Sequence, residues 1–216
     1  MANRIKISTI SAELVSVDSN APIQDIVDQI VAYWDAKLQQ VLPNEPDLIV
    51  LPEMCDHPEN VSTEKELYYY RQREDTLFEF FASHAKKNNC TFVYPTLRTL
   101  DDKSRRNSSI VIDRQGKVAG IYDKNHVVIS EKTDKGIDCG TQAPLIECDF
   151  GKMACAICFD LNFEPLRLQY VTAKPDLLVF PSMFHGGLQQ PWWAYSCRCH
   201  FVGALATHAG PSQIRN

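Results

Sequence analysis

The sequence lacks the features that mark several large classes of protein. Across 216 residues no apolar stretch approaches the length needed to cross a bilayer. The amino terminus, Met1-Ala2-Asn3-Arg4-Ile5-Lys6-Ile7, carries no apolar signal core and runs straight into a strand pattern. Positive charge is not in excess: 22 Lys and Arg face 27 Asp and Glu, and a net charge of −5 offers no electrostatic footprint for nucleic acid or an anionic membrane. No internal repeat, low-complexity tract or linker divides the chain. These absences point to a cytoplasmic protein with a single domain over residues 1–216. With 44% hydrophobic and 23% charged residues, the composition is that of an ordinary globular chain long enough to bury a sizeable core. The eight cysteines (Cys55, Cys90, Cys139, Cys148, Cys155, Cys158, Cys197 and Cys199), with no export signal beside them, read as reduced thiols and not as a disulfide framework.

Strand and helix patterns alternate along the chain. Residues 5–10 read as a strand, and Pro22 opens a helix to about residue 42, with Ile23, Ile26, Val27, Ile30, Val31 and Trp34 at helical spacing. Pro43 and Pro46 end it, and residues 47–51 form a buried strand that stops at Pro52-Glu53. Ser62 or Thr63 can cap one long helix to about residue 88, with Glu66 placed for the return contact of a capping box. Residues 90–100 are a third strand. Residues 106–113 and 117–122 form a hairpin across Arg114-Gln115-Gly116, which puts Lys124 at its end. Residues 125–143 read as a charged loop containing Gly136 and Gly140. Strands at 145–148 and 152–158, a helix at 164–173, a strand at 176–181, a helix at 188–201 and a strand at 202–206 complete an α/β domain with helices covering its sheets.

Three chemically capable side chains fall at three strand ends: Glu53, Lys124 and Cys158. A ligand site in an open α/β fold lies where strands end. A thiol nucleophile needs a base, which a carboxylate can supply, and an ammonium can hold the oxyanion that forms on an attacked carbonyl. Taken singly, each has a structural reading: a buried cysteine, a solvated carboxylate, a surface lysine.

In context the chain resembles the nitrilase superfamily of carbon–nitrogen hydrolases. The resemblance rests on Leu51-Pro52-Glu53, Tyr122-Asp123-Lys124-Asn125-His126 and Cys158-Phe159-Asp160-Leu161-Asn162, in that order. It implies an α-β-β-α sandwich and no metal or organic cofactor. It assigns Cys158 as nucleophile, Glu53 as general base and then acid, and Lys124, with the backbone N–H of Phe159, as the holder of the tetrahedral intermediate. Glu131 is the best match for a second glutamate that orients Lys124 and the substrate; Glu147 fits less well because it lies in a strand. Phe159 and His126 would meet the substrate, a small amide or nitrile. The helices after Cys158 would carry a homodimer contact, with Trp192, Trp193 and Tyr195 as core, interface or pocket residues. A nearby Lys124 would favour the thiolate, so Cys158 is expected to alkylate faster than the other seven cysteines.

Other classes remain open. One is a catalytically silent binding protein on the same fold. Another is a zinc or redox module built on Cys155-x-x-Cys158 and Cys197-x-Cys199-His200, although Cys155 lies inside a continuous apolar run and not on a tight knuckle. The chain departs from the family pattern in two places. Phe163-Glu164-Pro165 reverses the usual proline-before-glutamate order, and the chain stops at Gly210-Pro211-Ser212-Gln213-Ile214-Arg215-Asn216, where the family continues into further strands, so the sandwich is expected to be truncated at its carboxyl end. The residues after Cys158 hold no arginine pair to grip an amino-acid carboxylate, the first basic residue being Arg167, which favours an amidase over a carbamoyl-amino-acid hydrolase.

Overall fold

The computed structural model describes residues 4–206. The chain-end stretch 210–216 lies outside them. Strand sequences with alternating packing faces build two sheets. Leu48 and Val50 of β3 (Leu48–Val50) and Val93 of β5 (Thr91–Thr99) face the second sheet. Ile49, Phe92 and Tyr94, one residue out of phase, face the helices on the other side, as the two-residue strand period requires.

The first sheet runs β1 (Ile7–Thr9), β3, β5, β6 (Arg105–Ile112) and β7 (Val118–Asp123); β1, β3 and β5 are parallel, and β6 and β7 follow antiparallel. Its outer face is covered by α1 (Ile23–Val41) and α3 (Thr76–Asn88), whose Trp34 and Phe81 meet edge-on at 6.2 Å between ring centroids. The second sheet runs β11 (His200–Leu205), β10 (Leu177–Ser182), β9 (Gly151–Cys155) and β8 (Ile146–Cys148), with β9, β10 and β11 parallel. Leu166 and Tyr170 of α5 (Glu164–Ala173) and Trp193 and Cys197 of α6 (Gln189–Cys197) pack on its outer face. The layers are therefore helix, sheet, sheet, helix, the expected α-β-β-α sandwich. A short parallel pair, β2 (Val15–Ser16) with β4 (Pro58–Glu59), lies beside them. Among the described residues no helix is long and apolar enough to cross a membrane.

Four local expectations need correction. The helix expected to run unbroken to residue 88 is two helices, α2 (Thr63–Gln72) and α3, parted at Arg73–Asp75 with Glu74 left-handed at φ 48°. The break lets the Arg73 guanidinium turn inward to the buried Asp56 carboxylate at 3.1 Å and the Thr96 hydroxyl at 2.8 Å, and a buried charge of that kind requires such partners. Ser62 caps α2 by accepting the Lys65 N–H, but Glu66 gives no return contact; it turns to His57 and Lys135. The loop expected at 125–143 contains a helix, α4 (Ile129–Lys135), too short to show a period. The strand expected to reach Cys158 ends at Cys155; only one more backbone bond, Ala156 N–H to Val179 O at 3.1 Å, extends its pairing. The reversed Glu164-Pro165 pair still puts proline in the first turn of α5, where no N–H is needed.

Candidate active site

Each chemically capable side chain is placed by a turn that leaves a sheet. After β3 the chain makes a buried turn, with Met54 left-handed at φ 51°. Cys55 pins this turn twice: its N–H donates to Pro95 O at 3.1 Å, and its carbonyl accepts the Trp34 indole N–H at 2.8 Å. Glu53 is thereby held in the interior, 2% exposed. Lys124 follows β7 directly, and its backbone N–H donates to Asn107 O at 2.8 Å. Cys158 opens a tight turn, Cys158–Asn162, with φ 47°. A non-glycine residue held there is strained and needs the surroundings to enforce it.

Asp160 supplies that enforcement. Its carboxylate is fully buried and accepts the Ile157 N–H at 2.9 Å, the Tyr122 hydroxyl at 2.7 Å, the His126 backbone N–H at 2.9 Å and the His126 ring Nδ1 at 3.0 Å. One side chain thus ties the cysteine turn to the lysine loop. The His126 ring stacks on Phe163 at 3.7 Å between centroids, and Phe159 meets Phe163 edge-on.

The turns bring Glu53, Lys124, Glu131 and Cys158 together. The Lys124 ammonium donates to Glu53 Oε1 at 2.8 Å and to Glu131 Oε2 at 2.7 Å. Glu131 reaches it from the first turn of α4, where its Oε2 also accepts the Val128 N–H at 2.8 Å. Glu53 Oε2 accepts the Met183 N–H at 2.9 Å, from just beyond β10. The Cys158 thiol lies near enough to Glu53, Lys124 and Ser182 for all three to act on its ionisation.

The electrostatics follow from these distances. Burial works against the Lys124 ammonium, but Glu53 and Glu131 outweigh it and hold Lys124 above the ordinary lysine value, so it stays charged. Burial and then the Glu53 carboxylate push the Cys158 thiol up to about 11, against the opposing pull of Lys124 and Ser182. The direction is opposite to the expected thiolate: burial and the Glu53 carboxylate together outweigh Lys124 and favour the protonated Cys158 thiol.

Asn107 escaped the sequence reading. It is fully buried, and its Nδ2 donates to Glu53 Oε1 at 2.8 Å and to Glu131 Oε1 at 2.7 Å. Asp160 and Ser182, both fully buried, escaped it too. The available signal was polarity inside strand-like apolar runs: Asn107-Ser108-Ser109 before Ile110-Val111-Ile112, and Ser182 after Phe180-Pro181. Trp193 is core, its indole N–H on Leu161 O at 3.0 Å, whereas Trp192 and Tyr195 are 50% and 80% exposed. Arg167 is taken up by Glu164 and by the face of Trp192. All eight cysteines are free, and among the described residues no group of three or more His, Cys, Asp or Glu is placed to hold a metal ion.

A half-buried thiol beside a buried carboxylate and a buried ammonium, just beyond the strands of an α-β-β-α sandwich, has the make-up of a hydrolase-type site. The family model for carbon–nitrogen hydrolases matches residues 20–204, and the chain belongs to that family. Among curated relatives, omega-amidase NIT3 of Saccharomyces cerevisiae is 25% identical over 199 residues, covering 85% of this chain and 67% of its own length. A hydrolase of Schizosaccharomyces pombe is 19% identical, and the match covers 77% of this chain and 54% of that protein. Among solved structures, S. cerevisiae Nit3, a member of branch 10 of the nitrilase superfamily, superposes with a TM-score of 0.75 at 19% identity, over 97% of this chain and 78% of that one. An amidase of Nesterenkonia sp. AN1, with the acetamide moiety of fluoroacetamide added covalently at its active-site cysteine, superposes with a TM-score of 0.78 at 13% identity, over 96% and 78%.

The raised thiol gives a direct test. Glu53→Gln removes the carboxylate that opposes thiolate formation while Lys124 stays. The midpoint of Cys158 thiolate absorbance, read against Cys158→Ala, is expected to fall below about 11 in this variant. An unchanged or higher midpoint contradicts the electrostatic account.

Proposed function

We propose that this chain hydrolyses the carbon–nitrogen bond of a small amide through a thioester on Cys158. The observation that carries the reading is the convergence of Glu53, Lys124, Glu131 and Cys158 from four separate segments on one buried point. The family membership and the covalent adduct in the Nesterenkonia amidase support it.

The raised thiol sets the order of events. Cys158 Sγ attacks the amide carbon as Glu53 takes the thiol proton, so that no free thiolate need accumulate. The carbonyl oxygen becomes an oxyanion held by the Lys124 ammonium and the Phe159 N–H. As the tetrahedral intermediate collapses, the C–N bond breaks and Glu53 gives its proton to the departing amine. Water then enters, Glu53 takes one of its protons, and the hydroxyl adds to the thioester carbon. Release of the thiol, reprotonated from Glu53, leaves a carboxylic acid. The sum is amide plus water to acid plus amine, with no metal or organic cofactor in the sequence of steps. Glu131 holds Lys124 in place throughout.

Phe159, 37% exposed, forms an apolar wall beside the nucleophile. Nδ1 of His126 is committed to Asp160, which leaves Nε2 as the ring nitrogen that can meet a substrate. With Arg167 engaged by Glu164, a small neutral amide fits better than a substrate with an amino-acid carboxylate. The eight free thiols suit a reducing compartment such as the cytosol.

Intact-mass analysis after exposure to small neutral amides, ω-amides of dicarboxylic acids and nitriles tests the reading. An acyl adduct or acid product in the wild type and none in Cys158→Ala is expected. No adduct and no product from folded protein would leave a silent binding protein on the same fold.

A homodimer through the helices after Cys158 belongs to the same reading. Leu168, Trp192 and Tyr195 are exposed at 50%, 50% and 80%, an apolar set on α5 and α6. Replacing Trp192 and Tyr195 together with serine is expected to lower the sedimentation coefficient to that of a monomer; an unchanged coefficient removes this face from the interface.

A further inference from the structure

Asn107 touches every charged member of the site. Its backbone carbonyl accepts the Lys124 N–H at 2.8 Å, and its two amide protons go to Glu53 Oε1 and Glu131 Oε1 at 2.8 and 2.7 Å. With the two bonds from the Lys124 ammonium, these close a ring of hydrogen bonds running Lys124, Glu53, Asn107, Glu131 and back to Lys124. The amide orientation is forced, because the reverse would aim its oxygen at two carboxylates. The remaining atom, Oδ1, is buried with no hydrogen-bond partner among the described residues. Native cores rarely leave a carbonyl in that state, and a residue present only to fill space does not need one.

The ring has a consequence for the base. A carboxylate oxygen offers two lone-pair sites. Oε1 of Glu53 accepts from Lys124 and from Asn107, and both sites are filled. Oε2 accepts one N–H, from Met183, and keeps one site open. We propose that Asn107 is a positioning residue for the general base: by filling Oε1 of Glu53 while gripping Glu131 and the Lys124 backbone, it makes Oε2 the oxygen that exchanges protons with Cys158. Asn107 does not touch the reacting atoms. It also supplies the neutral donor that keeps two carboxylates apart, where an acidic residue would draw a shared proton into the ring.

The inference rests on the proposed hydrolase chemistry, so the probe is one that does not depend on amide turnover. 4-Nitrophenyl acetate acylates a thiol without needing a protonated leaving group, and nitrophenolate release reports the rate. The burst rate of Cys158 acylation is measured against pH for wild type, Asn107→Asp and Asn107→Ala, with the adduct located by intact mass. The expected result is a rate at neutral pH at least about tenfold lower in both variants, with the acid limb of the profile moved up by about one pH unit. The concentration of ester giving half-maximal rate is expected to change little.

An acid limb at the wild-type position in a folded variant overturns the inference, whatever the rate. Failure of both variants to fold, read by circular dichroism, overturns it as well, because a purely structural role then suffices. Wild type that is acylated but hydrolyses no amide would sink the proposed function and leave the Asn107 comparison intact. A wild type that is not acylated at all overturns both.

Discussion

The structure turns on one buried charge, the Lys124 ammonium, 1% exposed and set between two carboxylates. Removing an ion of this kind from water costs several kcal/mol, and it stays charged inside only because its partners are close and hydrogen-bonded. Glu53 and Glu131 meet that condition at 2.8 and 2.7 Å. They arrive from a turn after β3 and from α4, elements far apart in the fold's connectivity. Around the ammonium the count is two carboxylates to one cation. Burial, and then the nearer carboxylate Glu53, push the Cys158 thiol up to about 11 against the pull of Lys124.

Such a cluster needs a frame that does not give. The two sheets provide it through their parallel triplets, β1, β3, β5 and β9, β10, β11, each backed by a helical layer. The functional groups themselves stand on turns just beyond the strands, two of which contain left-handed non-glycine residues, Met54 and Cys158. Each strained turn is held by buried polar bonds: Trp34 and Pro95 on the Glu53 side, Asp160 on the Cys158 side. Asp160 also reaches Tyr122 and His126, so the Cys158 turn and the lysine loop are tied to one side chain.

Much of the layout was legible in the residues. The uninterrupted apolar run Leu48-Ile49-Val50-Leu51 marks a strand buried on both faces, and the helical spacing from Ile26 to Trp34 marks α1. The positions of Glu53, Lys124 and Cys158 at strand ends, with Glu131 in the following loop, could be read from punctuation and from resemblance. Long-range electrostatics could not. Nothing near Cys158 in sequence reveals how far it is buried or that Glu53 would add to that burial against Lys124, so the thiol shifts in the opposite direction from the one its lysine alone suggests. The break at Arg73 was hidden for the same reason, since Asp56 calls the guanidinium inward from elsewhere in the chain. Asn107 and Asp160 act through contacts 54 and 38 residues distant, at Glu53 and Tyr122, and no local pattern encodes such pairing.

The measurement that tests the central claim most directly is the rate at which 4-nitrophenyl acetate acylates Cys158 in Lys124→Met, with folding checked by circular dichroism. Loss of the ammonium leaves two facing carboxylates and no cation for the oxyanion. The account predicts a fall of about a hundredfold or more, with the fold retained. A folded Lys124→Met protein that acylates within about threefold of the wild-type rate would contradict it, since a hundredfold loss is the scale expected for removing one oxyanion donor.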